Sequence, residues 1–136
     1  MSKEGYIFFR LEETHYALSV GIVRQVEMVE KITHVPTSPP FVLGVTSIRG
    51  QVLPVLDLRQ RLGLPQRPPD RHSRLLVVEW SARTVALLVD SATEFREIAS
   101  ETLIETPGEM TGELVDRLLH VGDRTVLLLD LQKVLE

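Results

Sequence analysis

The chain has 136 residues, enough for one domain or two small subdomains. Its 43% hydrophobic content excludes a disordered chain, and a net charge of −4 argues against a nucleic-acid binder working through general positive charge. It contains no cysteine, which excludes disulfides, thiolate chemistry and thiolate zinc sites.

In chain order, residues Tyr6–Leu11 and Tyr16–Val20 read as two strands around Glu12-Glu13-Thr14. Ile22–Val29, with Val23, Val26 and Val29 at mixed spacing, reads as a turn leading into a strand. Pro36, Pro39 and Pro40 make Val35–Pro40 an extended connector. Phe41-Val42-Leu43 is expected to form one helical or 3₁₀ turn closed by Gly44. Gly44–Ile48 and Gln51–Leu56 then form a hairpin whose two-residue turn, Arg49-Gly50, needs positive φ. Pro54 cannot donate to a ladder, so its strand is expected at an edge or with a bulge. Asp57 stands where an N-cap belongs, before a short helix with Leu58 and Leu62 on one face and Gly63 at its end.

Leu64–His72, with three prolines, Arg67 and Arg71, reads as an exposed linker between two halves. Arg74–Trp80, Thr84–Val89 and Thr93–Ile98 follow as strands, and Thr106-Pro107-Gly108 marks a loop. Leu114–Val121 and Thr125–Leu129 are two more strands, and Asp130–Leu135 closes with a short helix. The longest apolar runs, such as Val85–Val89, are too short to span a membrane, and Met1–Tyr6 carries no apolar signal region, so a cytoplasmic location is expected.

An internal repeat organises these elements. Leu53–Leu58 with Leu62 aligns with Val126–Leu131 with Leu135, 73 residues on. Tyr16–Val20 aligns with Val85–Val89, 69 residues on. About five strands per half suggest two small barrels, each thin-cored, packed together.

Catalytic signals are weak. His15, His34, His72 and His120 lack the spacing of a metal site. Asp57, Asp90 and Asp130 each end an apolar strand. Two carboxylates could act as an acid–base pair in a small hydrolase using Asp57 or Asp90, but capping is the better reading of a repeated strand-end Asp. Leu88–Ala92 only loosely resembles an aspartic-protease tripeptide, since Ala92 replaces its glycine. No nucleophile elbow or phosphate loop is present, and no cofactor is expected. The remaining candidate is Arg49, a guanidinium beside apolar Ile48 at a loop tip, the kind of anchor found at protein interfaces.

Residues 36–59 carry a longer pattern: Pro36, Pro39-Pro40-Phe41-Val42, Gly44-Val45, Ile48-Arg49-Gly50, then an apolar strand to Pro54-Val55-Leu56-Asp57-Leu58-Arg59. This resembles the CheW family of chemosensory adaptors, and the resemblance extends over nearly the whole chain. It implies an all-β fold of two five-stranded SH3-like β-barrel subdomains packed over a shared core, with short helices. The expected division is subdomain 1 at about 14–84 and subdomain 2 at about 6–13 and 85–136.

The resemblance implies a non-catalytic adaptor with two partners, the regulatory domain of a CheA-type histidine kinase and the cytoplasmic tip of a chemoreceptor. By the same resemblance Val23, Ile48, Arg49, Gly50 and Ala86 fall at or near a receptor-facing groove. Gln25, Val26, Gly44 and Val45 fall on a kinase-facing edge. The chain departs from the family at Ser47, Gln25 and Ala86, where Asn, Glu and Gly are frequent, and lacks an aromatic near Glu109-Met110. The Gln25 and Ala86 departures leave open a related adaptor role in pilus motility, gliding or development.

Overall fold

The computed structural model describes residues 3–99, 103–105 and 114–136. The expected loop at Thr106–Gly108 and the segment at Glu109-Met110 lie outside these. The elements are β1 (Lys3–Leu11), β2 (Thr14–Ser19), β3 (Val23–Met28), β4 (Val42–Ile48), β5 (Gln51–Asp57), α1 (Leu58–Arg61), β6 (Arg74–Trp80), β7 (Arg83–Val89), β8 (Ser91–Ala99), β9 (Leu103–Glu105), β10 (Val115–Val121), β11 (Arg124–Leu129) and α2 (Leu131–Leu135).

The fold is all-β, as expected, with two sheets and two short helices among the described residues. One sheet has the order β3-β6-β7-β5-β4, and the other β8-β1-β2-β11-β10-β9, where the sixth strand, β9, is three residues long. The strands divide differently from the sequence-based boundaries of 14 and 85. β2 pairs with β1 and β11, and β7 lies between β6 and β5. The chain therefore crosses between sheets at Val20–Ile22 and again at Asp90. Consequently, the exposed segment Leu64–His72 connects α1 to β6 inside one subdomain rather than joining the two halves.

The strands that serve both subdomains explain the unbroken apolar runs. In β7, Ala86 and Leu88 point into the core of the five-stranded sheet, while Val85, Leu87 and Val89 point into a cluster shared with the other sheet. In β2, Ala17 joins the core of the six-stranded sheet, and Tyr16 and Leu18 join the shared cluster. A strand buried on both faces needs apolar residues at every position, not at alternate ones. Each large side chain so buried contributes about 1.5–3 kcal/mol. Phe9 and Tyr16 stack in the shared cluster with ring centroids 5.8 Å apart.

The repeat is real in three dimensions. β5 runs parallel to β7 with Val55 opposite Ala86, and β11 runs parallel to β2 with Leu128 opposite Ala17. These are the same pairs under the two sequence offsets.

Two local expectations change. Phe41–Leu43 is not a helical turn. A turn closed by the Val42 N–H donating to Pro39 O, 2.9 Å, leads directly into β4, and Phe41 O accepts from the Asp57 N–H at 2.7 Å. Pro54 is not on an edge strand, because β5 lies between β4 and β7. It is tolerated because the parallel ladder to β7 begins only at Val55. The bulge lies on the facing strand, between Val42 and Gly44.

Candidate functional site: the β4–β5 hairpin and the rim of the shared core

Arg49 and Gly50 form the two-residue turn between β4 and β5, with φ of 51° and 81°. Both values are positive, as a type I′ hairpin requires. An arginine held there stores about 1 kcal/mol or more of strain. Ile48 anchors the turn, buried against the core of the five-stranded sheet. The Arg49 side chain is 74% exposed and reaches back to Glu27 Oε2 on β3, 3.4 Å from Nη2. Beneath it lies a cleft of about 250 Å³ lined by Glu27, Met28, Glu30, Ser47 and Leu75 among others.

β3 is an edge strand with a bulge between Val23 and Gln25. The bulge puts Val23 and Val26 on the same face, opposite Val78 and Leu76 of the shared cluster. This accounts for the mixed spacing in the sequence, since one inserted residue resets the alternation. Val23 is buried, while Val26 and Met28 are exposed along the same face. Gln25 is half-buried opposite Val77, and its Oε1 has no hydrogen-bond partner among the described residues.

Gly44 is buried, and Val45 exchanges two backbone hydrogen bonds with Thr33, at 2.8 and 2.9 Å. That contact requires glycine at position 44: a Cβ there would sit 2.0 Å from Thr33 O. The β4 edge at Val45 is thus already paired within the chain. Ala86 is fully buried, so its side chain offers no surface to a partner. Its departure from glycine is a matter of core packing against Val55 and Val77.

Residues not singled out from the sequence complete the rim. Phe95 and Val20 lie against Gly5 and are exposed, Phe95 by 54%. Phe95 pairs with Ile7, which packs on the shared cluster. Both sheets therefore expose apolar side chains along the rim of the shared core: Val26 and Met28 from one, Phe95 and Val20 from the other. The signal was present as apolar residues in strands rich in charge, but it could not be read without knowing which faces were already covered.

The strand-end carboxylates have structural partners. Asp57 caps α1, accepting the Arg59 N–H at 3.1 Å, and Asp130 caps α2, accepting the Lys133 N–H at 3.3 Å. Burial pushes the Asp57 carboxyl up, against the pull of the Gln60 and Arg59 N–H groups, and its Oδ2 has no partner among the described residues. Asp90 Oδ2 accepts the Glu12 N–H at 2.7 Å and pairs with Arg59 at 2.6 Å and Arg67 at 3.2 Å. Asp57 and Asp130 thus serve as helix caps, and Asp90 is held by two arginines and a backbone N–H. No metal-ligating group of three or more His, Cys, Asp or Glu residues is found among the described residues.

Residues 5–136 match the family model of the CheW-like domain. The chain belongs to the CheW family. It is 29% identical over 136 residues to the chemotaxis protein CheW of Bacillus subtilis, covering 98% of this chain and 87% of the relative. With the chemotaxis protein CheW of Klebsiella aerogenes it shares 24% identity over 135 residues, covering 97% and 81%. The crystal structure of the scaffolding protein CheW from Thermoanaerobacter tengcongensis superposes with a TM-score of 0.90 at 27% identity, covering all of this chain and 90% of that one. The CheW-family fold is therefore shared over the full chain, both sheets included. No helix among the described residues is long and apolar enough to cross a membrane.

Proposed function

We propose that this CheW-family protein is a non-catalytic adaptor that couples the cytoplasmic tips of chemoreceptors to the regulatory domain of a CheA-type histidine kinase, acting in the cytoplasm. The observation that carries the reading is Arg49: an exposed guanidinium on a strained two-residue turn, at a position where the repeat's own counterpart is Gly122. A strained arginine that the fold does not need is explained by a contact outside the chain.

Arg49 and Gly50 form the projecting part of the receptor-facing surface, and Met28, Phe95 and Val20 supply its apolar rim. Val23, Ile48 and Ala86 support that surface from inside. The kinase-facing edge comprises Gln25 and Val26 on β3, with Gly44 and Val45 on β4, the strand at the other end of the same sheet order. Aspartate-dependent hydrolysis is disfavoured, because Asp57 and Asp90 are committed to a helix cap and to arginine pairs.

Calorimetric titration with a purified CheA-type regulatory domain and, separately, a receptor cytoplasmic fragment from the same cell tests the proposal. A saturable complex with each is expected. No complex with the kinase domain up to high micromolar concentration contradicts the coupling role.

A further inference from the structure

Helix α1 is four residues long, yet two of its arginines reach the other subdomain in different directions. Arg59 is buried, its side chain 7% exposed. Its Nη1 donates to Asp90 Oδ2 and its Nη2 to Glu12 Oε1, each at 2.6 Å, while Nε donates to Pro65 O at 2.9 Å. Burial pulls the guanidinium pKa down, and Glu12 and Asp90 more than offset it, so the group stays charged. Arg61 donates from Nε to Val134 O and from Nη2 to Lys133 O, each at 2.8 Å, and lies over the Phe41 ring. Those two oxygens belong to the last turn of α2, where Lys133 O also accepts the Glu136 N–H at 3.4 Å.

Glu12 and α2 belong to the subdomain of the six-stranded sheet, and Asp90 is one of the two places where the chain crosses between sheets. The other crossing, Val20–Ile22, contains Gly21. Two short crossings are the geometry of a hinge. The shared apolar cluster holds the sheets together, but apolar burial is itself non-directional and orients them less sharply than directed hydrogen bonds do. Such bonds stand on either side of α1. The repeat does not supply them twice: the counterparts of Arg59 and Arg61 are Gln132 and Val134.

We infer that α1 is a strut, with Arg59 and Arg61 as positioning residues that fix the two sheets at one angle and so set the width of the rim between them. That this width matters for a partner rests on the adaptor reading; the angle itself does not, and it can be measured on the protein alone. Because the chain has no cysteine, Val52→Cys on the five-stranded sheet and Asp123→Cys on the other can carry a spin-label pair, both positions being exposed.

Double electron–electron resonance should give one narrow distance distribution for the otherwise unchanged protein. Arg61→Met and Arg59→Met should broaden it or add a second distance, with circular dichroism showing both sheets intact. Arg59→Lys, which keeps the charge but not the three-partner fork, should broaden it as well. An unchanged distribution in every folded variant overturns the inference. If Arg59→Met does not fold, Arg61→Met decides, since Arg61 is only half-buried: broadening supports the strut and no change overturns it.

Discussion

The molecule contains the same unit twice, β4–β5–α1 and β10–β11–α2, and the two copies differ in an orderly way. Their backbones agree in detail. Asp57 and Asp130 cap their helices with φ, ψ of −83°, 102° and −89°, 100°. Their N–H groups donate to Phe41 O and Leu114 O. Each first strand carries a bulge, between Val42 and Gly44 in one and between Val115 and Arg117 in the other. Four of the residues that differ meet partners outside the unit. Gly44 corresponds to Arg117, Arg49 to Gly122, and Arg59 and Arg61 to Gln132 and Val134. The shared cap, bulge and ladder build the sheets, and these four unshared residues make contacts beyond them.

The largest effect is expected where the unshared residue is most tightly enclosed. Gly44→Ala drives a Cβ into Thr33 O and should cost about 3 kcal/mol or more, read as a lowered denaturant midpoint. An equal tolerance of alanine at Gly44 and at Arg117 would erase the distinction. The β6–β7 turn, Ser81-Ala82, holds φ of 51° and 64° without a glycine. The double change Ser81→Asn, Ala82→Gly should raise stability by about 1–2 kcal/mol, measured by the same unfolding curves.

Next comes the shared cap. Asp130→Ala should lose about 1 kcal/mol. The smallest effect concerns its buried twin. Since burial raises the folded Asp57 carboxyl above its unfolded value, its ionisation works against the fold. The native state then binds more protons in the window above the unfolded value near about 4, and this group's contribution to stability falls as pH rises through it. Asp57→Asn should therefore gain on the original chain between acid and neutral pH. A difference that stays constant with pH, or runs the other way, contradicts the assignment.

Much of the fold was legible because it rests on local signals. The Arg49-Gly50 turn, the Asp57 and Asp130 caps and the repeat offsets all depend on short stretches and were read correctly. Strand allegiance was not legible. β2 and β7 are apolar on both faces, and alternation, the cue that assigns a strand to a sheet, is absent from such strands. Phe41–Leu43 misled for a related reason: its ladder partner, Leu56, lies beyond the hairpin. Ala86 stood out by its departure from a family pattern, although its place is in the core. Phe95 and Met28 were invisible because exposure is a property of the packed sheets.

On the proposed adaptor reading Arg49 is held for a contact and not for the fold, and Arg49→Gly separates the two. The counterpart turn already uses glycine, and the only partner of Arg49 among the described residues is an exposed ion pair worth little. The variant should unfold at the same or a slightly higher denaturant concentration, and should bind a receptor cytoplasmic fragment at least about tenfold more weakly, a change of roughly 1.4 kcal/mol. Unchanged receptor affinity in a stable variant, or a loss of binding that simply follows a loss of folding, would contradict it.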